Sequence, residues 1–308
     1  MKRVITLAVL VGIGSLTIAV NATQQKPPPE PHVNNITVEK VKDNLFVLRG
    51  GGGNTAVFVQ SKGVTIVDTK NPGWGQPLLD KIKTLTDKPV TTVINTHLHY
   101  DHVSGNVAMP ATAEIVAHVN NAKNIASPGR VVGSTTEQPN VFKDNPGKGI
   151  PKRTFTDKLT LGSGADRVDL YYFGPAHTSG DAFVAFPAHR VMHSGDAYAR
   201  NGLPIMDKNN GGSGVEYANT IRKAVKGVPN IDTIINGHTA ENTTPADMAR
   251  FADFVADFVA HVQAGKKAGK SAEQVAKEWA VPAKYTGFTA SPVETVTAYV
   301  NVIFGETK

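Results

Sequence analysis

Short β-branched runs and longer stretches of helical period alternate along the chain. Ile36–Val41 and Leu45–Arg49 flank Lys42-Asp43-Asn44, and Thr55–Gln60 and Val64–Asp68 flank Ser61-Lys62-Gly63. Each pair predicts a β-hairpin, with Gly50 to Gly53 as a flexible turn between them. Leu78, Leu79, Ile82 and Leu85 recur at helical spacing and predict a helix over Pro77–Thr86. Val90–Asn95 then reads as a buried strand. In the second half, Phe155–Leu161, Val168–Phe173, Ala182–Phe186, Arg190–His193 and Thr233–Asn236 read as strands, with a helix over Val215–Val228. Phe251, Phe254, Val255, Phe258, Val259 and Val262 form one apolar helix face, which is core packing. Ser271–Trp279 and Pro292–Phe304 read as closing helices. Ser127–Arg153 interrupts the pattern with Pro and Gly and predicts a long loop, either a lid or an insertion near a site. Strands followed by a helix, repeated in the second half, predict two αβ halves packed sheet on sheet.

The first residues do not belong to this pattern. Lys2 and Arg3 precede the apolar run Val4–Val20, and Val20-Asn21-Ala22 has small residues spaced as at a cleavage site. An export signal over residues 1–22 is the expectation, and a periplasmic or secreted protein its consequence. A membrane anchor is the alternative, but Gly12, Gly14 and Ser15 interrupt a run already near the lower limit for a span. After cleavage no stable membrane anchor is expected. Pro27, Pro28, Pro29 and Pro31 make residues 23–35 an extended tether, leaving residues 36–308 as the folded domain with C-terminal helices. The chain has no Cys, so disulfides, a lipid-linked Cys and thiolate ligands are all excluded. The net charge of +6 falls to +4 without Lys2 and Arg3 and is not gathered into a basic run, so nucleic acid is not an expected partner.

The chemistry concentrates in Thr96-His97-Leu98-His99-Tyr100-Asp101-His102. Clustered neutral imidazole and carboxylate are the ligands of a divalent metal such as zinc. His97, His99 and Asp101 are two apart and His102 breaks the alternation, so the loop aims ligands in two directions, as two metals require. It follows Val90–Asn95, at the C-terminal end of a strand, where αβ folds place sites. His177, Asp196 and His238 also follow strands, each near a Gly that permits close backbone approach. One strand-end His is ordinarily structural. Three such residues in series after the first cluster point to metal.

In these residues the chain resembles the metallo-β-lactamase superfamily, from Ile36 through His238. The resemblance implies a four-layer αβ/βα sandwich. It implies that His97, His99 and His177 hold a first metal, that Asp101, His102 and His238 hold a second, and that Asp196 bridges both. A carboxylate at 196 resembles the glyoxalase-II and lactonase branches, whereas the true β-lactamases carry a thiolate or serine there. His99 stands where the diiron redox branch has Glu, which favours hydrolysis. The implied function is an exported hydrolase with two Zn2+ (Fe or Mn being alternatives). Metal-bound hydroxide would attack an acyl carbon of a small ester, lactone, thioester or β-lactam. Asp101 would orient the hydroxide or pass a proton. Tyr198 and Tyr100 have two readings each, donor to a substrate oxygen or packing of the loop. Trp74 reads equally as a pocket wall or an exposed loop aromatic. Asp68 and Asp181 read as supporting or turn residues, and His32, His118, His189, His193 and His261 fall outside the pattern. Competing functions are a β-lactamase proper, a single-iron dioxygenase and a phosphodiesterase. Gly50–Gly53 lacks the Gly-Lys-Ser/Thr of a phosphate loop.

Overall fold

A computed structural model describes residues 29–137 and 139–307. The expected signal over residues 1–22 lies outside the described residues. Among the described residues the strands form two sheets. The first contains β1 (Thr37–Lys42), β2 (Leu45–Arg49), β3 (Thr55–Val59), β4 (Val64–Val67), β5 (Val90–Asn95), β6 (Glu114–His118) and β7 (Arg153–Phe155), in sequence order across the sheet. β1 to β4 are an antiparallel meander, as the two polar turns predict. From β4 to β7 the pairing is parallel. α1 (Gly75–Lys83) crosses from β4 to β5. The short helices α2 (Tyr100–Val103), α3 (Val119–Asn124) and α4 (Val141–Asp144) lie in the later connections.

The second sheet runs β12-β11-β10-β9-β8, from β8 (Lys158–Leu161), β9 (Val168–Tyr171), β10 (Phe183–Phe186), β11 (Val191–Gly195) and β12 (Thr233–Asn236). It is antiparallel except between β11 and β12. α5 (Gly214–Gly227), α6 (Pro245–Lys267), α7 (Ala272–Glu278) and α8 (Val293–Glu306) follow. Thr244 and Asp247 form a capping box at the start of α6, satisfying backbone N–H groups that a helix leaves free.

Side chains alternate across a strand, so each sheet has two buried faces. In β10, Phe183 and Ala185 pack with α5, α6 and α8, while Val184 and Phe186 face the other sheet. In β5, Val93 packs toward Leu78 and Ile82 of α1, and Ile94 faces inward. Phe58 meets Phe186 edge-on between the sheets, with ring centres 5.4 Å apart. Helices, sheet, sheet and helices therefore stack as the expected four layers.

Two expectations need correction. Phe155–Leu161 is not one strand. β7 closes the first sheet, β8 opens the second, and the chain changes sheets at Thr156-Asp157. There the Thr156 carbonyl accepts from His118 Nε2 at 2.9 Å and the Asp157 carbonyl from Tyr172 N–H at 2.9 Å. The backbone groups are satisfied by two different sheets, which an unbroken apolar pattern hides. Trp74 is neither pocket wall nor exposed. It is buried over Gly51, whose φ of +71° and lack of a Cβ leave room for the ring.

Candidate metal centre

Parallel strand ends deliver the site. β4 leads into Asp68, β5 into His97–His102, β11 into Asp196 and β12 into His238, while His177 comes from the connection between β9 and β10. Thus all seven residues of the expected ligand set meet at one edge of the sandwich. His97, His99 and His177 form one group, with ring nitrogens within 4.8 Å of one another, and Asp101, His102 and His238 form another.

Each ring in the first group has its tautomer fixed from behind. Thr96 Oγ1 gives its proton to Asp68 Oδ2 at 2.7 Å, so it accepts from His97 Nδ1 at 3.0 Å. His99 donates from Nε2 to Asp207 Oδ2 at 2.7 Å, and His177 donates from Nδ1 to the Ile205 carbonyl at 2.9 Å. The remaining nitrogens therefore carry lone pairs. His97 Nε2 is buried and makes no hydrogen bond, and His99 Nδ1 and His177 Nε2 face each other at 2.9 Å. Two lone pairs at that distance repel, and a cation between them converts the repulsion into coordination. A buried, unsatisfied ring nitrogen costs about 1–3 kcal/mol otherwise. The donor set thus fits a divalent metal, with the outer hydrogen bonds that metal-binding imidazoles require.

The second group is anchored likewise. His102 donates from Nδ1 to Asp68 Oδ2 at 2.7 Å, so one carboxylate supports both groups. His102 Nε2 then faces Asp196 Oδ1 at 3.3 Å and Asp101 Oδ2 at 3.5 Å. His238 Nε2 lies 3.1 Å from Asp196 Oδ2 and 3.2 Å from Asp101 Oδ2. Asp196 Oδ2 is also 3.8 Å from His177 Nε2, which puts this carboxylate between the two groups. Glycine makes the approach possible: a Cβ on Gly53 would lie 2.1 Å from the His102 ring, and one on Gly237 1.8 Å from Asp196 Oδ1.

The protonation states divide the same way. Burial, with the neighbouring imidazoles, holds His97 well below the usual histidine range and takes His177 down to about 4. The Asp196 carboxylate raises His238 to about 9. Burial opposes protonation of His102, but Asp101, Asp196 and Asp68 outweigh it and raise this ring well above its ordinary value. Burial would raise Asp101, yet His102 and His238 bring it to about 2. Without metal, protons at the second group occupy the role of a cation, whereas burial disfavours them on His97 and His177.

The cleft above these groups has a volume of about 370 Å³ and is bordered by Tyr100, by Val131–Ser134 from the expected Ser127–Arg153 loop, and by Leu203 to Ile205. That loop is tied to the metal side. Asp207 Oδ1 accepts from Val132 N–H at 3.3 Å, Asn210 exchanges hydrogen bonds with the Gly129 backbone at 2.7 and 2.9 Å, and Asn209 donates to the Arg130 carbonyl at 2.7 Å.

Tyr198 is not in the cleft. It is fully buried against Phe251, with ring centres 4.8 Å apart, and its hydroxyl donates to Asn201 Oδ1 at 2.9 Å. The reason is the 3-10 turn Asp196–Tyr198. At three residues per turn, two steps rotate a side chain by about 240°, so Tyr198 points away from Asp196 and into the core. Asp181 accepts from the Thr178 N–H and hydroxyl as a turn residue, and His193 is tied to the Asn54 carbonyl at 3.0 Å. Asp207, Lys70, Arg200 and Tyr299 have no place in the ligand pattern and come to light only in the structure. Asp207 stands in Asp207-Lys208-Asn209-Asn210-Gly211-Gly212, which reads as an ordinary turn. Lys70 is wholly buried and donates to the Leu48 and Gly53 carbonyls at 2.9 and 2.8 Å, clamping the glycine turn beneath His102.

A family model described as the metallo-beta-lactamase superfamily matches residues 48–238, well over half of the chain. The 2,4-dinitroanisole O-demethylase subunit alpha of Nocardioides sp. (strain JS1661) is 26% identical over 166 residues, covering 53% of this chain and 46% of that one. The inverting sec-alkylsulfatase Pisa1 from Pseudomonas sp. superposes with a TM-score of 0.71 at 14% identity, over 86% of this chain and 49% of the other. A metallo-beta-lactamase from Pontibacter korlensis gives a TM-score of 0.57 at 16% identity, over 72% of this chain and 99% of that one. The chain thus spans about half the length of the demethylase subunit and of the sulfatase, and at these identities the structural likenesses speak for the fold.

Proposed function

The chain belongs to the metallo-β-lactamase superfamily, and on that footing we propose that it is a dinuclear zinc hydrolase that cleaves a small ester, lactone, thioester or β-lactam at the acyl carbon. The observation that carries this reading is the pair of lone pairs on His99 and His177, 2.9 Å apart, beside the orphaned His97 Nε2. His97, His99 and His177 would hold one ion, Asp101, His102 and His238 the other, with Asp196 shared. Imidazole-rich sites without thiolate suit zinc, with iron or manganese as the alternatives. When bound, two such ions supply Lewis acidity and a water that loses its proton near neutral pH.

The remaining work falls to the chain's own groups. Asp101 borders the cleft as an ionised carboxylate, with its Oδ2 3.2 Å from His238 Nε2, so it is positioned to accept a hydrogen bond from the attacking water and orient it. Val131, Val132, Leu203 and Ile205 line the cleft with apolar surface that would shield the substrate's far side from water. A small molecule, not a nucleic acid, is the partner this cleft size supports. Export is part of the proposal and rests on Lys2, Arg3 and the apolar Val4–Val20. No helix among the described residues is long and apolar enough to cross a membrane.

Metal analysis joined to a hydrolysis screen tests the reading. Two zinc equivalents and turnover of at least one lactone, thioester, ester or β-lactam are expected. The named relatives concern other bonds, so a secondary alkyl sulfate and an aryl methyl ether belong in the screen. A fully metallated protein that turns over no acyl substrate would overturn the proposal, and a single iron would favour oxygen chemistry.

A further inference from the structure

We propose that Arg200 and Tyr299 form an anion-recognition subsite at the outer part of the cleft, and that the substrate carries a carboxylate-type oxyanion apart from the bond that is cut. This rests on the hydrolytic reading only for the word substrate; the subsite itself rests on geometry. Arg200 lies four residues beyond Asp196 and borders the cleft, exposed, with no hydrogen bond or ion pair to any described residue. Tyr299 comes from α8, beyond the residues the family model matches. Its side chain is 4% exposed, it borders the same cleft, and its hydroxyl has no hydrogen-bond partner among the described residues. A buried tyrosine ordinarily places its hydroxyl against a partner. Here the cleft is what remains to provide one.

The charge distribution makes the partner an anion. Among the described residues, Asp101 and Asp196 are the acids that border the cleft, and both are turned to the imidazoles of the metal groups. The rest of the border is apolar or neutral apart from His238. Arg200 is therefore a cation in a cleft with no acid left to pair with it, and a cleft of one sign concentrates ligands of the other. The guanidinium presents parallel N–H groups that match a carboxylate's two oxygens. Burial holds the Tyr299 phenol up at about 12, so it remains a donor throughout the neutral range, and Arg200 lies near enough to oppose that shift. A neutral substrate would leave both donors to water.

The test compares two esters with the same acyl group, 4-acetoxybenzoate and its methyl ester, which differ in one carboxylate. A charge-assisted hydrogen bond contributes about 1.5–3 kcal/mol, or about 10–100-fold. Zinc-loaded protein should prefer 4-acetoxybenzoate in kcat/KM by at least about tenfold, mostly through KM. The preference ratio should collapse in Arg200→Gln, survive in part in Arg200→Lys, and shrink several-fold in Tyr299→Phe. Calorimetric binding of the uncleaved amide counterparts, 4-acetamidobenzoate and its methyl ester, gives a readout independent of turnover. Equal handling of anion and methyl ester by the wild type, or a preference that Arg200→Gln leaves intact, would overturn the subsite. If 4-acetamidobenzoate binding depends on Arg200 while no ester, lactone, thioester or β-lactam is turned over, the subsite stands and the hydrolytic reading falls.

Discussion

The substitution Asp207→Asn isolates the orienting hydrogen bonds from everything else at the site. Three donors converge on this buried carboxylate: His99 Nε2 at 2.7 Å, Asn210 Nδ2 at 2.6 Å and Val132 N at 3.3 Å. An amide is isosteric but has one acceptor oxygen. If that oxygen serves His99 and Asn210, the new NH2 meets the Val132 N–H. If it serves Val132, the NH2 meets His99 Nε2–H and drives the proton to Nδ1, the nitrogen that faces His177. The lost charge-assisted bond is worth about 1.5–3 kcal/mol. Loss of an imidazole's outer partner ordinarily weakens metal binding about 10–100-fold, or about 1.4–2.8 kcal/mol, and the two ranges agree. The weakening should be confined to one of two zinc equivalents in a chelator competition followed by metal analysis. Asp68→Asn makes the contrast, because Asp68 reaches His102 directly and His97 through Thr96, so both equivalents should weaken. Nitrogen-15 shifts of the His rings in metal-free protein report the tautomer without any metal. A wild-type His99 carrying its proton on Nδ1, or an Asp207→Asn protein that binds both zincs within twofold of wild type, refutes the reasoning.

Asp196→Ala removes the carboxylate between the two groups, and metal and activity should disappear together; two retained zincs with full activity would rule out a bridging role. Affinity for the second metal should rise with pH up to about 9, since His238 must lose a proton that Asp196 holds there. The gain is about tenfold per pH unit for each proton released. His177 adds little to the pH dependence of the first, because burial already takes that ring down to about 4. Calorimetric titration in buffers of different ionisation enthalpy counts those protons, and equal release at both steps would contradict the division. Lys70→Met deprives two buried carbonyls of donors and should cost about 2 kcal/mol, or about 4–8 °C in Tm. Burial lowers Lys70 to about 7, so the unfolded chain binds more protons between that pH and 10.5, and wild-type stability gains a component that rises with pH across this window. Urea midpoints of metal-free protein should show Lys70→Met lacking that component; identical pH slopes would exclude it.

The ligands were legible because a metal demands few residue types and a sheet delivers them at predictable places. His97–His102, Asp196 and His238 each follow a strand whose apolar run is unmistakable, and strand ends on one edge of a sandwich meet. Their orienting partners were less legible. Asp68 ends a strand and could be named as a supporting residue, but Asp207 sits among Asn and Gly, where an Asp ordinarily closes a turn. Of the two readings of Tyr198 the structure shows packing, because beyond Gly195 the backbone turns at three residues per turn and carries that side chain into the core. The joined run Phe155–Leu161 failed for a related reason, since hydrophobic pattern records burial and is silent on which sheet does the burying.

Specificity has a different origin from the metal cage, and this bears on how far the family can instruct about substrate. The ligands lie between His97 and His238, inside the matched residues 48–238. The cleft border draws also on Val131–Ser134, on Arg200 and on Thr295 and Tyr299 of α8. Thr295 and Tyr299 are four apart on one helix face, and they reach the site because Val296, Val300 and Ile303 pack α8 into the core formed by α5 and α6. No local pattern marks them, since a tyrosine in an apolar helix reads as core. Chains that share the cage can therefore differ in what they cut through changes in α8 alone. Substituting Thr295 and Tyr299 together should alter the ranking of substrates while leaving zinc stoichiometry unchanged. Loss of metal in that double variant would mean that α8 supports the cage as well, and that the separation of chemistry from selection does not hold in this protein.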